Sequence, residues 1–241
     1  MKLDRLIAHE AGLGRIAAVR AIAAGRVQVD GQVETDRHAP VDRYREVRLD
    51  GVVVQAAARA LYLMMHKPSG WLSATRDAQH PTVLEFIDVP GREELHLAGR
   101  LDRASSGLLL LTNDGRWSKR LMAAETKVAK VYRVETLEPI PSGATEAFAR
   151  GFYFATEGVT TLPAHMELLG DRRARVTLHE GRYHQVKRMF HRVGCRVMTL
   201  HRESIGGLHL PEHLRPGAWR ELEPEEVSLA QESGPRHQPT P

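Results

Sequence analysis

The chain holds a single cysteine, Cys195, in 241 residues, which excludes an intramolecular disulfide and any zinc site built on several cysteines. Cys195 lies between Val193-Gly194 and Arg196-Val197 and is expected to be a core cysteine in a strand-like stretch. No run approaches the ~18 apolar residues that a membrane-spanning helix requires. Asp4, Arg5 and Glu10 interrupt the region where an export signal would be apolar, so the chain is expected to stay in the cytoplasm, away from membranes. Hydrophobic residues at 42% and charged residues at 27% are globular values, which excludes a wholly disordered chain, and no internal repeat is present. The length suggests two domains, or one with an appendage.

Lysine is also scarce. Of the 34 basic residues only positions 2, 67, 119, 127, 130 and 187 are lysine, leaving 28 arginines and a net charge of +4. The planar guanidinium binds phosphate bidentately and stacks on bases, so the bias leans toward nucleic acid; a GC-rich coding sequence is the plainer source of the same excess. Two segments concentrate the charge. Arg116, Lys119, Arg120, Lys127, Lys130 and Arg133 face one acid, Glu125, while Arg182, Lys187, Arg188, Arg192, Arg196 and Arg202 face Glu180 and Glu203. Together they suggest one groove that tracks phosphates.

The first fifty residues read as a unit. Leu3, Leu6 and Ile7, then Ile16, Val19 and Ile22 after a Gly12-Leu13-Gly14 break, predict two short helices ending at Gly25. Val27 and Val29 before Asp30-Gly31, and Val47 and Leu49 before Asp50-Gly51, predict small strands with two-residue turns. Arg5, Arg15, Arg20 and Arg26 punctuate this stretch, either as a solvated face or as an RNA-binding set. Leu3-Asp4-Arg5, Gly12-Leu13-Gly14-Arg15 and the run from Ile22 through Gly25 and Val29 to Gly31 resemble the S4 RNA-binding domain. The departure is Gly14, where that family usually has a serine; glycine caps a helix only a few tenths of a kcal/mol less well, so the fold stands. The division expected is an S4-like domain over 1–51, a linker over 52–60, a catalytic domain over 61–230 and a disordered tail over 231–241.

The most informative segment is Gly99-Arg100-Leu101-Asp102-Arg103-Ala104-Ser105-Ser106-Gly107, followed by four leucines and Thr112-Asn113-Asp114-Gly115. Four leucines between glycine and a turn read as a strand buried on both faces, with the polar loop at its rim. Asp102 between Arg100 and Arg103 has the setting of a nucleophile or base kept ionised by cations, or of a turn aspartate that accepts backbone N–H bonds.

This segment resembles the signature of the RsuA branch of the pseudouridine synthases. Further matches follow in order: Lys67-Pro68-Ser69-Gly70 upstream, then Lys130-Val131-Tyr132, Pro163-Ala164, and Glu180-Gly181-Arg182-Tyr183-His184-Gln185-Val186-Lys187-Arg188-Met189. The resemblance implies that Asp102 is the essential catalytic residue, that Tyr132 is the aromatic platform for a flipped base, and that Lys187 pairs with Asp102, with Arg188 the neighbouring alternative. It implies no cofactor. It also implies an α+β catalytic domain with a mixed, largely antiparallel sheet and a central cleft, working as a monomer. Arg100, Arg103, Lys130, Arg182, His184 and Arg188 join the four head arginines as the expected RNA-binding set. His179, His184, His191 and His201 lack the spacing of hydrolytic zinc motifs, so no metal is expected. His66, Trp71 and Ser105 depart from the family's more frequent residues without touching the expected catalytic trio.

Within the branch, residues 80–90, Leu162-Pro163-Ala164 and the uninterrupted run from Glu180 to Met189 resemble the form that acts on small-subunit RNA. The partner expected is 16S ribosomal RNA, in a partly assembled small subunit, at the uridine numbered 516. A large-subunit (23S) enzyme of the same branch, and a non-enzymatic RNA-binding assembly protein, are the alternatives.

Overall fold

The computed structural model describes residues 1–232 and divides into two units, Met1–Ala60 and a larger one that begins at Leu61. In the first unit, α1 (Leu3–Glu10) and α2 (Arg15–Ala23) form a hairpin whose Leu3, Leu6, Ile7, Ala18 and Ile22 are buried with Val27, Val29 and Val47. Gly14 occupies the N-cap of α2 without a side-chain bond. Four strands follow, β1 (Val27–Val29), β2 (Gln32–Val33), β3 (Val47–Leu49) and β4 (Val52–Gln55), in the order β2-β1-β3-β4. Both Asp-Gly turns have positive φ at both residues (Asp30 49°, Gly31 78°, Asp50 52°, Gly51 81°), as a tight hairpin demands. β4 corrects the expected linker over 52–60: the Asp50-Gly51 turn folds residues 52–55 back onto β3 as an edge strand. Val52 and Val53 are exposed there, so no alternation betrays the strand.

In the second unit the strands and helices run β5 (Tyr62–Lys67), β6 (His96–Leu97), β7 (Ser106–Thr112), α3 (Gly115–Met122), β8 (Lys130–Thr136), α4 (Ala144–Arg150), β9 (Tyr153–Phe154), β10 (Val159–Thr160), β11 (His165–Gly170), β12 (Arg173–Leu178), α5 (Gln185–Arg192), β13 (Val197–Ile205), β14 (Leu208–His209), β15 (Trp219–Glu221) and α6 (Pro224–Leu229). The central sheet has the order β11-β12-β8-β13-β7-β5-β15. Only β13 and β7 pair in parallel; every other neighbour in that path is antiparallel, which gives the mixed, largely antiparallel α+β architecture. Gln231 and Glu232 still hydrogen-bond back to Ser228 and Leu229, so the expected disordered tail does not start at 231; 233–241 lie outside the described residues.

The leucine run explains the centre. Leu108 and Leu110 face a layer with Trp117 and Leu121 of α3, while Leu109 and Leu111 face Leu63, Met65, Val83 and Ile87 on the other side. In the outer half of the sheet, Val186, Met189 and Phe190 turn one stripe of α5 into the core that holds Tyr132, Val134, Ala174 and Phe148. Cys195 is buried, but in the turn between α5 and β13 and not on a strand, and burial pushes its thiol up. Gly194, with φ 82°, makes that turn.

Gly107 is fixed by a close approach. Its φ is 111°, and a Cβ there would stand 2.3 Å from the Arg202 carbonyl oxygen on β13. Gly107→Ala is therefore expected to cost more than about 3 kcal/mol, strain and clash together, measured by urea unfolding. A change below about 1 kcal/mol would show that β7 and β13 separate freely.

Candidate active site

Asp102 stands on the loop between β6 and β7, and every carbonyl of residues 100–105 accepts a hydrogen bond. Arg202 Nη1 donates to Arg100 (3.3 Å), Ser73 Oγ to Leu101 (2.8 Å) and the Ser105 amide to Asp102 (3.0 Å). The Gly70 amide donates to Arg103 (2.8 Å), Ser69 Oγ to Ala104 (3.0 Å) and Lys67 Nζ to Ser105 (2.7 Å). The Lys67-Pro68-Ser69-Gly70 segment is thus the underside of the Asp102 loop, and the carboxylate sits on a backbone with no free carbonyl to rearrange around.

From the other side, α5 brings Lys187 Nζ to 2.9 Å from Asp102 Oδ2, and His184 Nε2 to 3.4 Å from Oδ1. The α5 start is braced by Gln185, which accepts from the Arg182 amide (3.0 Å) and donates to Glu180 Oε1 (2.7 Å). His184 itself has φ 49° and stacks on the exposed Tyr183 ring, centroids 3.9 Å apart. Arg188 points elsewhere: it pairs with Glu157 (2.5 Å) and lies over the Phe154 ring at 3.6 Å.

Asp102, Tyr132, His184 and Arg202 line one cavity of about 490 Å³ with Leu178 and Leu200. Among the described residues Asp102 is the only acid on its wall, against Arg100, Arg103, Lys130, Arg182 and Arg202. Such a lining suits a polyanion whose one reacting part enters the pocket. Of the expected RNA-binding set, Arg100, Arg103, Lys130, Arg182 and His184 converge here, although Arg182 is already paired with Glu180 (3.0 Å) and Glu157 (3.3 Å). Arg188 is engaged outside the cavity, and Arg133, from the first basic segment, lies beside Glu203 at 3.6 Å, outside it as well. Arg5, Arg15, Arg20 and Arg26 are exposed in the other unit, where Arg26 bonds Asp50 (2.8 Å) and Arg15 lies 3.9 Å from the buried Asp4.

Two residues of the site are present in the sequence reading only within a motif match and a basic segment, not as expected site residues. Lys67 is fully buried, and Arg202 is 2% exposed with its Nε donating to the Leu108 carbonyl at 2.7 Å. Arg202 carries a signal all the same: with Leu200 and Ser204 it occupies the inward positions of β13, a charge where alternation calls for an apolar residue.

Burial pushes Lys67 down to about 8, helped by Arg202 and Lys187 and opposed by Asp102; burial and then Arg202 push Lys130 down to about 8. In the unfolded chain both ammonium groups titrate near 10.5. Between these values the unfolded state binds more protons, so the penalty of burying each charge relaxes as pH rises. The stability of the wild type relative to Lys130→Met should therefore increase from pH 8 to 10.5, by at most roughly 1.4 kcal/mol per pH unit. Urea unfolding of both proteins across that window measures it; a flat difference would mean Lys130 keeps its proton.

The profile of the family described as RNA pseudouridylate synthase matches residues 61–192. The ribosomal small subunit pseudouridine synthase A of Pseudomonas aeruginosa is 50% identical over 227 residues, spanning 94% of this chain and 99% of the relative. The protein of the same description from Escherichia coli K12 is 41% identical over 228 residues, with 95% and 99% covered. A solved structure described as a pseudouridylate synthase superimposes with a TM-score of 0.69 at 35% identity, covering 95% of this chain and 99% of the other.

Proposed function

The chain belongs to the RNA pseudouridylate synthase family, and from its isomerisation of uridine in RNA we propose that its target lies in 16S ribosomal RNA of an assembling small subunit, at uridine 516. The observation that carries the chemical assignment is the Asp102 carboxylate, held 2.9 Å from Lys187 in a basic cavity that Tyr132 also lines. The small-subunit target rests on the relatives named for it, which match along nearly the whole chain.

In this reading the target uridine leaves its stack and its base lies against Tyr132, an interaction of ~1–3 kcal/mol per stacked base. Asp102 then promotes cleavage of N1–C1′, either by bonding to the nucleoside or by removing the C2′ proton. The base turns within the pocket and C5 bonds to C1′, as the bond to Asp102 breaks in the first case or as Asp102 returns the proton to C2′ in the second. The proton lost from C5 is balanced by one gained at N1, so the reaction is an isomerisation that consumes nothing. Lys187 orients the carboxylate, and Lys130, Arg100 and Arg103 hold phosphates beside the target. The N-terminal unit, S4-like in its motifs, docks on folded RNA through Arg5, Arg15, Arg20 and Arg26, in the cytoplasm where ribosomes assemble.

The test is to incubate the protein with 16S RNA, 23S RNA and an assembling small-subunit particle, and to map pseudouridine by carbodiimide-dependent reverse-transcription stops. One new stop, in 16S RNA at position 516, is expected. A stop in 23S RNA alone would keep the chemistry and move the substrate.

A further inference from the structure

Arg202 is the most deeply buried cation on the cavity wall, and two of its three nitrogens are accounted for by the Leu108 and Arg100 carbonyls. Nη2 is buried and, among the described residues, has no hydrogen-bond partner. A buried guanidinium donor left unsatisfied is costly, and it is retained where a ligand completes it. Tyr132 is the direct neighbour of Arg202 across the β8–β13 ladder, and its ring centroid is 6.0 Å from the guanidinium carbon. A base lying on that ring would therefore lie next to the Arg202 guanidinium.

The reaction creates the need for such a donor. Whether Asp102 attacks C1′ or removes the C2′ proton, the electron pair of N1–C1′ departs with the base. The detached uracil is then an anion, its charge shared by N1, O2 and O4. When C5 closes on C1′ that charge is spent, the C5 proton leaves and N1 is protonated. We propose that Arg202 Nη2 donates to a carbonyl oxygen of the flipped uracil and holds the negative charge that the base carries between bond breaking and bond making. Arg202 is then a catalytic residue that touches the base, separate from the Asp102–Lys187 pair. Gly107 serves it indirectly, since only a glycine lets the Arg202 backbone sit against β7.

This inference rests on the isomerase chemistry and not on the choice of subunit, so the substrate is whichever ribosomal RNA the mapping experiment shows to be modified. Wild type and Arg202→Met are compared on that RNA with uridine, 2-thiouridine or 4-thiouridine at the target, sulfur being a poor acceptor. Arg202→Met should lower kcat on uridine by about 10²-fold, the effect of removing one donor to a developing oxyanion. One of the two sulfur substitutions should slow the wild type and leave Arg202→Met indifferent, which loss of packing alone would not produce. Equal sulfur penalties in both proteins, or a variant as fast as wild type on uridine, would overturn the proposal. If circular dichroism shows that Arg202→Met does not fold, Arg202→Lys, which keeps the charge and lacks the second terminal nitrogen, takes its place in the same comparison.

Discussion

Asp102→Asn should form no detectable pseudouridine, a loss of at least about 10³-fold, while binding RNA as well as the wild type or better. The amide is the same size and can neither attack carbon nor take a proton. It also leaves the scaffold alone, because the loop is held through the carbonyls of residues 100–105 and none of those bonds uses the Asp102 side chain. What is lost is the pair with Lys187, whose side chains are 31% and 26% exposed, worth no more than about 1 kcal/mol of stability. Affinity for a polyanion should rise slightly, since a negative charge disappears from a wall that is otherwise basic. Pseudouridine mapping and RNA titration on the same preparation check both halves. Turnover within tenfold of wild type would remove Asp102 from the chemistry. Tight binding with no product would separate recognition from reaction in one substitution.

The order of legibility follows the range of the interactions. Both Asp-Gly hairpins, the helix pair of the first unit and the four-leucine strand are written in a few adjacent residues, and they form where local chemistry places them. The Asp102 loop is legible for the same reason, since loop, strand and flanking arginines are contiguous, but those residues fit a turn aspartate equally, and the catalytic role comes from the family resemblance alone. Lys67 is not legible, because two of its three acceptor carbonyls lie 36 and 38 residues away, and a lysine before a Pro-Ser-Gly turn gives no hint of burial. Arg202 is half legible: the strand pattern points it inward, but the groups that accept from it lie 94 and 102 residues upstream. β4 is hidden for the opposite reason. It is an edge strand with two exposed valines, and an edge on a small sheet needs no buried face to announce it. Among the expected RNA contacts, residue type marks the arginines well, but ion pairing decides which are available. Glu157 takes Arg188 and part of Arg182, and that acid lies outside both basic segments.

Lys187 and Arg188 offer the sharpest second test, because adjacent helical residues point about 100° apart and only one of the two reaches Asp102. Lys187→Met should reduce kcat by about 10²-fold with little change in KM for RNA, since it frees the reacting carboxylate from its 2.9 Å partner and leaves only His184, at 3.4 Å, to orient it. A guanidinium can reach the same oxygen, so Lys187→Arg should recover most of that loss. Arg188→Met should behave differently, with kcat within about threefold of wild type. Its guanidinium covers the Phe154 ring and binds Glu157, so its removal should appear as a lower unfolding midpoint, by about 1 kcal/mol. If Arg188→Met proved the slow variant and Lys187→Met the unstable one, the pairing would have to exchange on substrate binding. The first turn of α5 would then rotate when the base enters, and the cation beside Asp102 would be supplied by the complex instead of by the free protein.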